Sequence, residues 1–374
     1  MALYFCVLGL LMLASCFELI TRNTRIGIYL LWANAVVLIL FSGLRWTTGT
    51  DWAAYYEYFT TLDNINSFES GYVIFTEIFK WFSDSYSLFV LLDSVIAIFL
   101  ITYVIRKASA MPNTSLLVFY CSYFLVNYFG SNRRIIAIGL IFLAGYLILN
   151  HRKWWALLCI LLASTFHTSS LIFVLAFFIP KGFTLNIRWV IGILLACFLL
   201  SMTNVLTQIL LRIVEIFIGD SPFAGKVTNY VVNASGYNQS LLQNVLGLVK
   251  RSFWIIVLLL CKKHIYKVMA KDRFNYFYNM YFFSVCFYTL ANNTIDLLKV
   301  AGIYFSIFEI ILIPYILLAF RVIAERILIN VVFILYFNLQ FYSSLFLNPF
   351  TNLYVPYLSV FSDYERPLSA FEND

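Results

Sequence analysis

Long uninterrupted apolar runs restrict the fold of this sequence more than any other feature. Runs of close to twenty residues recur along the chain, and a helix needs about 20 apolar residues to cross a hydrocarbon core about 30 Å thick. Hydrophobic residues make up 62% of the 374 positions and charged residues only 11%, whereas a soluble domain carries about 25% charged residues. Because the runs are continuous and do not alternate with polar residues as in a β-barrel, the sequence predicts an all-α, polytopic membrane bundle of about 10–12 transmembrane helices without a soluble domain.

Basic residues fall in short clusters between the runs, and the positive-inside rule places such clusters in the cytoplasm. The clusters are Arg22 and Arg25; Arg106 and Lys107; Arg152 and Lys153; Lys181 and Arg188; Lys262, Lys263, Lys267, Lys271 and Arg273; and Arg321 and Arg326. Spans are then expected near 3–20, 26–44, 86–105, 115–130, 133–150, 189–206, 245–261, 274–291, 303–320 and 327–346. The first run is expected to be retained as a span, because it lacks the basic segment and cleavage site of a signal peptide.

The apolar segment 154–179 is long for one crossing, yet basic residues on both of its flanks require an even number of crossings. Two short helices that meet near Thr165–Ser169 are expected, with His167 at the outer apex. A single tilted span is the alternative. Larger outer loops are expected at about 45–85 and 207–244, within one transmembrane domain that covers residues 1–374.

Charged side chains at the outer ends of spans are the candidates for chemistry, because a charge in or beside a bilayer is costly. Arg133 and Arg134 open a span on the side that the topology rule leaves poor in cations, and two arginine forks suit a pyrophosphate. Gly49 permits a tight turn that would fold the Asp51 carboxylate back toward Arg45. This pattern indicates anion binding beside a carboxylate base, and a solvated loop end is the alternative.

His167 is the second candidate base, because an imidazole with an ordinary pKa of about 6.5 can accept or donate a proton. A buried core histidine is the alternative. Lys299, at the outer start of a later span, could bind a lipid phosphate or extend its amine to the surface. Glu69 stands before a helix start, where a carboxylate is favoured by the helix dipole. The aromatic stretch that contains Tyr55 and Tyr56 suits stacking on sugar rings.

Asp93 and Glu309 lie within expected spans and are interpreted as buried hydrogen-bonding groups. The sequence has no P-loop, GxSxG, HExxH or DxD motif. Its seven cysteines show no CxxC spacing and its three histidines show no metal-ligand spacing, so we expect no metal site. The net charge of +7 is explained by the loop clusters, and we expect no nucleic-acid partner.

Five motifs, in their order along the chain, resemble those of the Wzy-type polysaccharide polymerases and particularly their EpsG-like branch. They are R-x3-GTD-x3-Y (Arg45–Tyr55), ESGY (Glu69–Tyr72), RR-I-x-A-I (Arg133–Ile138), LLASTFHTSSLI (Leu161–Ile172) and K-x4-YF…P (Lys299–Pro314). With the segment NPF…VPY (Asn348–Tyr357), the resemblance covers most of the chain.

The resemblance implies a multi-pass enzyme of the bacterial inner membrane with a periplasmic active site. Such enzymes transfer a growing glycan from undecaprenyl pyrophosphate to a new lipid-linked repeat unit, and so build O-antigen or a related surface polysaccharide. Donor and acceptor lipid-linked glycans are the implied partners, with membrane lipid and a possible chain-length regulator protein. No cofactor is implied.

The resemblance also implies site residues. Arg45, Gly49, Asp51, Tyr55, Glu69, Arg133, Arg134, His167 and Ser169 fall on motif positions, and Tyr72 and Tyr304 lie within the quoted motifs. Asp51 and His167 are the catalytic candidates, and the other polar and aromatic side chains are candidates for substrate binding. Lys299 stands where the family often has an arginine, and a lysine offers a point charge instead of a fork.

Three other functions fit parts of the same sequence. A transporter or flippase of lipid-linked oligosaccharide would be expected to carry charges through the middle of the membrane, whereas these charges gather at one edge. A ligase that joins glycan to the lipid A core shares the donor and the reaction type. A membrane acyltransferase that modifies polysaccharide could also use arginine and histidine side chains.

Overall fold

The fold is given by a computed structural model of the chain. It describes residues 1–21, 24–63, 68–129, 131–203, 241–291, 296–320, 322–347 and 350–371, together with Val205, Gln208, Ile209 and Arg212. The outer loop expected at 207–244 therefore lies almost entirely outside the described residues.

The described residues form helices and one isolated β-bridge, between Arg45 and Ser359. The α-helices are α1 (Ala2–Thr21), α2 (Thr24–Gly43), α3 (Trp52–Thr61), α4 (Ser70–Lys80), α5 (Tyr86–Ala108), α6 (Pro112–Phe119), α7 (Asn132–Leu149), α8 (Lys153–Phe166), α9 (Ile187–Ser201), α10 (Leu241–Ile265), α11 (Lys271–Leu290), α12 (Asp296–Ser306), α13 (Glu309–Leu312), α14 (Pro314–Ala319), α15 (Ile323–Phe346) and α16 (Thr351–Tyr354). A π-helix (Tyr120–Phe129) continues α6, and 3₁₀ helices cover Thr168–Phe178 and Leu368–Phe371.

The predicted all-α, multi-pass membrane class is confirmed. Within the described ranges, seven helices are long and apolar enough to cross a membrane. They are α1, α2, α5, α7, Asn244–Ile265 of α10, the broken segment Val300–Ala319 and α15. The expected span at 115–130 consists of α6 and the wider π-helix, and α9 is a shorter apolar helix.

The segment 154–179 changes its helical form at His167. Helix α8 ends at Phe166, and His167 has an extended backbone with φ −151° and ψ 103°. The 3₁₀ helix Thr168–Phe178 follows. The two helices are 14 and 11 residues long, and each is shorter than the roughly 20 residues that cross a hydrocarbon core.

The chain divides into two compact units, one of residues 1–171 and 320–374 and the other of residues 172–319. In the second unit, α11 packs against α9 and α12, and the Ser284 hydroxyl of α11 donates to the Gly302 carbonyl of α12 over 2.8 Å. The Arg251 guanidinium of α10 lies 3.5 Å from the ring centroid of Tyr288. Lys299 belongs to α12, and Tyr304 is fully buried within this unit.

In the first unit, α5 packs against α2 and α7, and α7 packs against α8. The end of α2, the start of α5 and the start of α7 lie at the same end of this unit, because Gly43 contacts Leu91 and Arg45 contacts Asn132. The basic residues Arg106 and Lys107 close α5 at its other end. Helix ends that gather in this way bring the loop after α2 close to the start of α7.

The opposite end of the unit is fastened by a carboxylate. Glu18 in α1 accepts hydrogen bonds from the backbone N–H groups of Asn113 and Thr114, over 3.1 and 3.0 Å, at the start of α6. The first backbone N–H groups of a helix lack partners within the helix, and a negative charge is favoured there. This contact fixes α6 and, through it, the π-helix that ends beside the loop after α2.

The loop that joins α2 to α3 contains two residues in the left-handed region. Thr47 has φ +40° and Gly49 has φ +115°. The Gly49 N–H donates to the Leu353 carbonyl over 3.0 Å, and a Cβ on Gly49 would lie 2.2 Å from the Phe129 carbonyl oxygen. Glycine is therefore required at this position both for its φ angle and for the close approach of the π-helix.

We expect Gly49→Ala to destabilise the first unit. The left-handed φ costs on the order of 1–3 kcal/mol for a residue with a side chain, and the overlap with Phe129 adds to that cost. The thermal unfolding midpoint of the detergent-solubilised protein should fall by several degrees. Gly9→Ala in α1 is the matched control, because no atom lies within 4 Å of a Cβ at that position and alanine is favoured over glycine inside a helix, and it should not lower the midpoint. An unchanged midpoint for Gly49→Ala would contradict the described loop.

Candidate functional site

Arg133, in the first turn of α7, is held by two side chains from the first outer loop. Its Nε donates to the Tyr55 hydroxyl over 2.9 Å, and its Nη1 forms an ion pair with the Glu69 carboxylate. The Tyr55 hydroxyl is also 2.7 Å from the Ser131 hydroxyl. The Arg133 side chain is thus oriented from two directions, and the Glu69 charge offsets part of its own.

The loop 45–85 is folded and aromatic. Helix α3 buries Tyr55, Tyr58 and Phe59 against α4 and α5, which is the spacing of one helical face. Tyr72 in α4 is fully buried, with its ring centroid 5.3 Å from that of Tyr55. On another side of α3, Tyr56 stacks on Trp52 with the ring centroids 4.9 Å apart. The buried Tyr72 ring therefore packs against the Tyr55 ring, whereas Tyr56 is partly exposed.

The ESGY segment brings His167 into the same region. A Cβ on Gly71 would lie 2.3 Å from the Thr165 hydroxyl oxygen, so the missing side chain allows α4 to pack directly against the end of α8. Glu69 precedes α4, but its side chain makes no capping hydrogen bond. Its carboxylate instead pairs with Arg133 and accepts from the Thr168 N–H over 3.4 Å. One carboxylate therefore connects the start of α7 to the segment after α8.

His167 lies within 2.7 Å of the Ser169 hydroxyl through its Nδ1 atom. Burial and the positive charges of Arg134 and Arg133 lower the pKa of His167 to about 3. The imidazole is therefore neutral at physiological pH. The same result places both arginine charges close enough to His167 to act on its titration.

Asp51 precedes α3 at the end of the left-handed turn. Burial raises the pKa of its carboxyl, and the charges of Arg134 and Arg133 and a hydrogen bond from Thr50 oppose that rise. The arginines whose charges act on Asp51 are thus those of α7, and its turn back toward Arg45 stays a prediction. Gly49 turns the chain against Phe129, which lies shortly before the start of α7.

Arg45 is buried, with 3% of its surface exposed. Its Nη2 donates to the Asn132 side-chain oxygen, and its guanidinium carbon lies 4.8 Å and 4.9 Å from the ring centroids of Tyr128 and Phe129. Among the described residues, its Nε and Nη1 atoms have no hydrogen-bond partner. The Arg45 guanidinium is thus bonded to Asn132 and packed between the aromatic rings of Tyr128 and Phe129. This placement suits a positive charge that is fixed in position.

Arg134 is half-buried beside Arg133. Its Nε has no hydrogen-bond partner in the part of the chain that the structure describes, whereas Arg133 is paired with Glu69 and Tyr55. Of the two adjacent arginines, Arg134 is consequently the better placed to bind a further anion. The two do not form the symmetric pair that the sequence suggests.

The first unit thus brings together ten of the residues singled out in the sequence. They are Arg45, Asp51, Tyr55, Tyr56, Glu69, Tyr72, Arg133, Arg134, His167 and Ser169. Lys299 and Tyr304 belong to the second unit, and the Lys299 side chain lies outside the described residues. Asp93 is fully buried in α5, with the Tyr128 hydroxyl 3.5 Å from its carboxylate.

Sequence reasoning missed several residues that shape this region. Asn132 and Ser131 bind Arg45 and Tyr55, and the RR motif gives a signal only for the two residues that follow them. Tyr354 shares a hydrogen bond with the Thr50 side chain, although it is about three hundred residues away in the sequence. No local pattern could have indicated that contact.

In the described residues, no group of three or more His, Cys, Asp or Glu side chains is arranged to hold a metal ion. The charged groups that surround Asp51 and His167 are the guanidinium groups of α7. Such a site can bind an anion through charge-assisted hydrogen bonds and place it beside a carboxylate and a neutral imidazole.

Comparison with known protein families identifies a match. The sequence model of the EpsG family matches residues 28–359, a range that contains all ten residues of the site. Neither the curated proteins nor the solved structures gave a significant match.

We expect burial and, after it, the arginine charges to lower the pKa of His167. With His151→Gln and His264→Gln, His167 is the one imidazole left among the three of the sequence, and NMR of ¹³C-labelled histidine can follow it in detergent. It should remain neutral down to about pH 4, and Arg134→Gln should raise its pKa into the range above that value. Arg152→Gln, at an exposed position, is the control. A midpoint near the ordinary value of about 6.5 in the protein with Arg134 intact would contradict the described geometry.

Proposed function

We propose that this chain, which belongs to the EpsG family, is a membrane glycosyltransferase that polymerises lipid-linked oligosaccharide repeat units into a surface polysaccharide. The observation that carries the proposal is the cluster of Asp51, Arg133, Arg134 and His167 at one end of a membrane bundle. The proposed donor is a glycan on undecaprenyl pyrophosphate, and the proposed acceptor is the next lipid-linked repeat unit. O-antigen, a part of lipopolysaccharide, is the product class that we favour.

The reaction is an in-line displacement at the anomeric carbon of the donor sugar. An acceptor hydroxyl oxygen forms the new bond to this carbon, and the bond from the carbon to the diphosphate oxygen breaks. The electron pair of that bond leaves with undecaprenyl pyrophosphate, and the hydroxyl proton passes to a base on the protein. A single displacement of this kind inverts the configuration at the anomeric carbon.

Arg134 is assigned to the departing diphosphate. Its half-buried position and its unpartnered Nε support this role, because charge that develops on a leaving group is stabilised best by donors already in place. Arg133 contributes its charge from a fixed position, since Tyr55 and Glu69 hold it. Arg45 adds a buried positive charge that is bonded to Asn132.

Asp51 is assigned as the base. Its carboxyl has a raised pKa, and a higher pKa makes a carboxylate a stronger proton acceptor at neutral pH. His167, with a pKa lowered to about 3 by burial and by the charges of Arg134 and Arg133, is a weak base before substrate binds. A diphosphate bound at Arg134 would reduce that positive field and raise the basicity of His167, so His167 and Ser169 are assigned to hydrogen-bonding the bound substrate.

The aromatic stretch is assigned to the glycan. Tyr56 and Trp46 are partly exposed and lie edge to face, with their ring centroids 5.6 Å apart. Aromatic faces of this kind pack against the apolar face of a sugar ring. A site that combines arginine side chains with partly exposed aromatic rings suits a substrate that has a lipid diphosphate at one end and a glycan at the other.

The proposed location is the bacterial inner membrane, with the site on the periplasmic side. The arginine cluster lies where α5 and α7 begin, whereas Arg106 and Lys107 lie at the other end of α5. The positive-inside rule assigns that second end to the cytoplasm. A chain-length regulator and the two lipid-linked glycans are the proposed partners.

Reconstitution in liposomes tests the proposal. Purified protein is mixed with lipid-linked repeat units extracted from source cells in which this gene is inactivated, and the products are separated by length. A ladder of lengthened glycans is expected. Substrate that is only moved across the bilayer would favour a flippase, transfer to a lipid A core acceptor without lengthening would favour a ligase, and either result would overturn the proposal.

Two substitutions test the assigned roles in the same assay. Asp51→Asn should lower the turnover by about 10²–10⁴-fold, the range of general base catalysis, and Arg134→Gln by about 10²–10³-fold, the range for one charge-stabilising group. Asp63→Asn and Arg152→Gln are matched controls, because both positions are exposed, and they should polymerise at the unsubstituted rate. Normal turnover of the Asp51 variant would eliminate it as the base.

A further inference from the structure

The last described segment of the chain, residues 350–371 and here called the strap, lies along the loop that carries Asp51. The Trp46 N–H donates to the Leu358 carbonyl and the Val360 N–H to the Leu44 carbonyl, each over 2.9 Å. The Gly49 N–H donates to the Leu353 carbonyl over 3.0 Å. The strap therefore forms backbone hydrogen bonds with Leu44, Trp46 and Gly49, which lie about three hundred residues away in the sequence.

Arg366 is the side chain that joins the strap to the strained part of this loop. It is buried, its Nη1 donates to the Thr47 carbonyl, and its Nη2 donates to the Pro356 carbonyl over 2.8 Å. Its backbone N–H also donates to the Thr47 hydroxyl over 3.2 Å. Arg366 thus binds both the carbonyl and the hydroxyl of Thr47, and it also bonds to the Pro356 carbonyl within the strap.

Thr47 is an unusual residue for a left-handed conformation. Its φ is +40°, and a β-branched side chain disfavours positive φ strongly. Such a conformation persists where the surrounding structure fixes it. Two kinds of contact fix it here. Arg366 binds Thr47 directly, and the Thr48 hydroxyl donates to the Trp46 carbonyl across the turn over 2.9 Å.

The strap also reaches the site through Tyr354. Its phenol shares a hydrogen bond with the Thr50 side chain, next to Asp51, and its carbonyl accepts from the Tyr4 hydroxyl over 2.8 Å. The groups that face the Asp51 carboxyl are then Arg134 and Arg133 from α7, Thr50 beside it, Tyr55 from α3 and Tyr354 from the strap.

We propose that the strap is part of the active site and that Arg366 is a positioning residue, which holds Thr47 in its left-handed conformation and so keeps the half-buried Asp51 side chain near Arg134. The proposal rests on the proposed function, because Asp51 is there the base. Arg366 makes no contact with substrate in this assignment. It acts through the loop alone.

The direct test is Arg366→Gln in the liposome polymerisation assay. Without the guanidinium, the turn relaxes and water reaches Asp51, so turnover should fall by about 10-fold or more with KM changed less than kcat. Burial is the largest influence on the raised pKa of Asp51, so its loss should shift the acid limb of the pH–rate profile to lower pH. Asp363→Asn, at an exposed position of the strap, is the control and should change neither quantity.

Hydrogen exchange gives a readout that does not depend on activity. The amides of Trp46 and Gly49 donate to the strap, so they should exchange faster in Arg366→Gln while α5 and α7 keep their protection. Should this variant not give a monodisperse peak in detergent, Arg366→Lys replaces it. A lysine keeps the charge but cannot reach both carbonyls as a fork, so the same changes are expected at smaller size.

A second substitution separates relief of strain from general damage. Glycine adopts a positive φ without cost, so Thr47→Gly placed in the Arg366→Gln protein should restore part of the lost turnover and move the acid limb back. Unchanged turnover, acid limb and exchange in Arg366→Gln, with Asp51→Asn inactive, would overturn the proposal and leave the proposed function intact. Full activity of Asp51→Asn would instead refute the base assignment, and hydrogen exchange would still decide whether Arg366 holds the loop.

Discussion

The ion pair between Glu69 and Arg133 is the contact on which the arrangement of the site depends. Both side chains are about a fifth exposed, so the pair is screened less than one at a surface. The Glu69 carboxylate also accepts from the Thr168 N–H, and Arg133 also donates to Tyr55. Four segments of the first unit, namely the loop after α3, the start of α7, helix α3 and the segment after α8, therefore converge on one pair of charges. Arg134 takes no part in this ion pair, so its guanidinium is the better placed of the two in α7 to bind a further anion.

Burial and the two arginine charges give Asp51 and His167 different tasks. Burial disfavours the charged form of either group, so it raises the pKa of the carboxyl and lowers that of the imidazole. The arginine charges oppose the first shift and add to the second. Both groups are consequently sensitive to an anion bound at Arg134, and in the same direction, because the anion removes positive field from each. A bound substrate that carries a diphosphate would therefore increase the basicity of Asp51 and His167.

The sequence predicted the fold class, and it singled out ten residues that the first unit brings together, because both depend on local signals. Apolar runs and their lengths indicated a multi-pass bundle, and charged residues at the ends of those runs indicated Asp51, Arg133, Arg134 and His167. The pairings were not predictable. The turn at Gly49 packs against Phe129, and the contact of Glu69 with Arg133 spans 64 residues. Tyr72 and Glu69 were indicated by one motif but differ in burial, since α4 turns one toward the core and the other toward α7.

The strap, near the C-terminal end of the chain, stabilises the loop between α2 and α3 near its N-terminal end. A left-handed residue with a side chain costs on the order of 1–3 kcal/mol, and hydrogen bonds from a charged donor contribute about 1.5–3 kcal/mol each. The contact of the Arg366 guanidinium with the Thr47 carbonyl is thus of the right size to offset the strain at Thr47, while its contact with the Pro356 carbonyl fixes the guanidinium in the strap. A loop held only by its neighbours in sequence could relax toward a less strained turn and move Asp51 away from α7. Since the contacts come from residue 366, the conformation of the loop before Asp51 depends on a segment about three hundred residues away in the sequence.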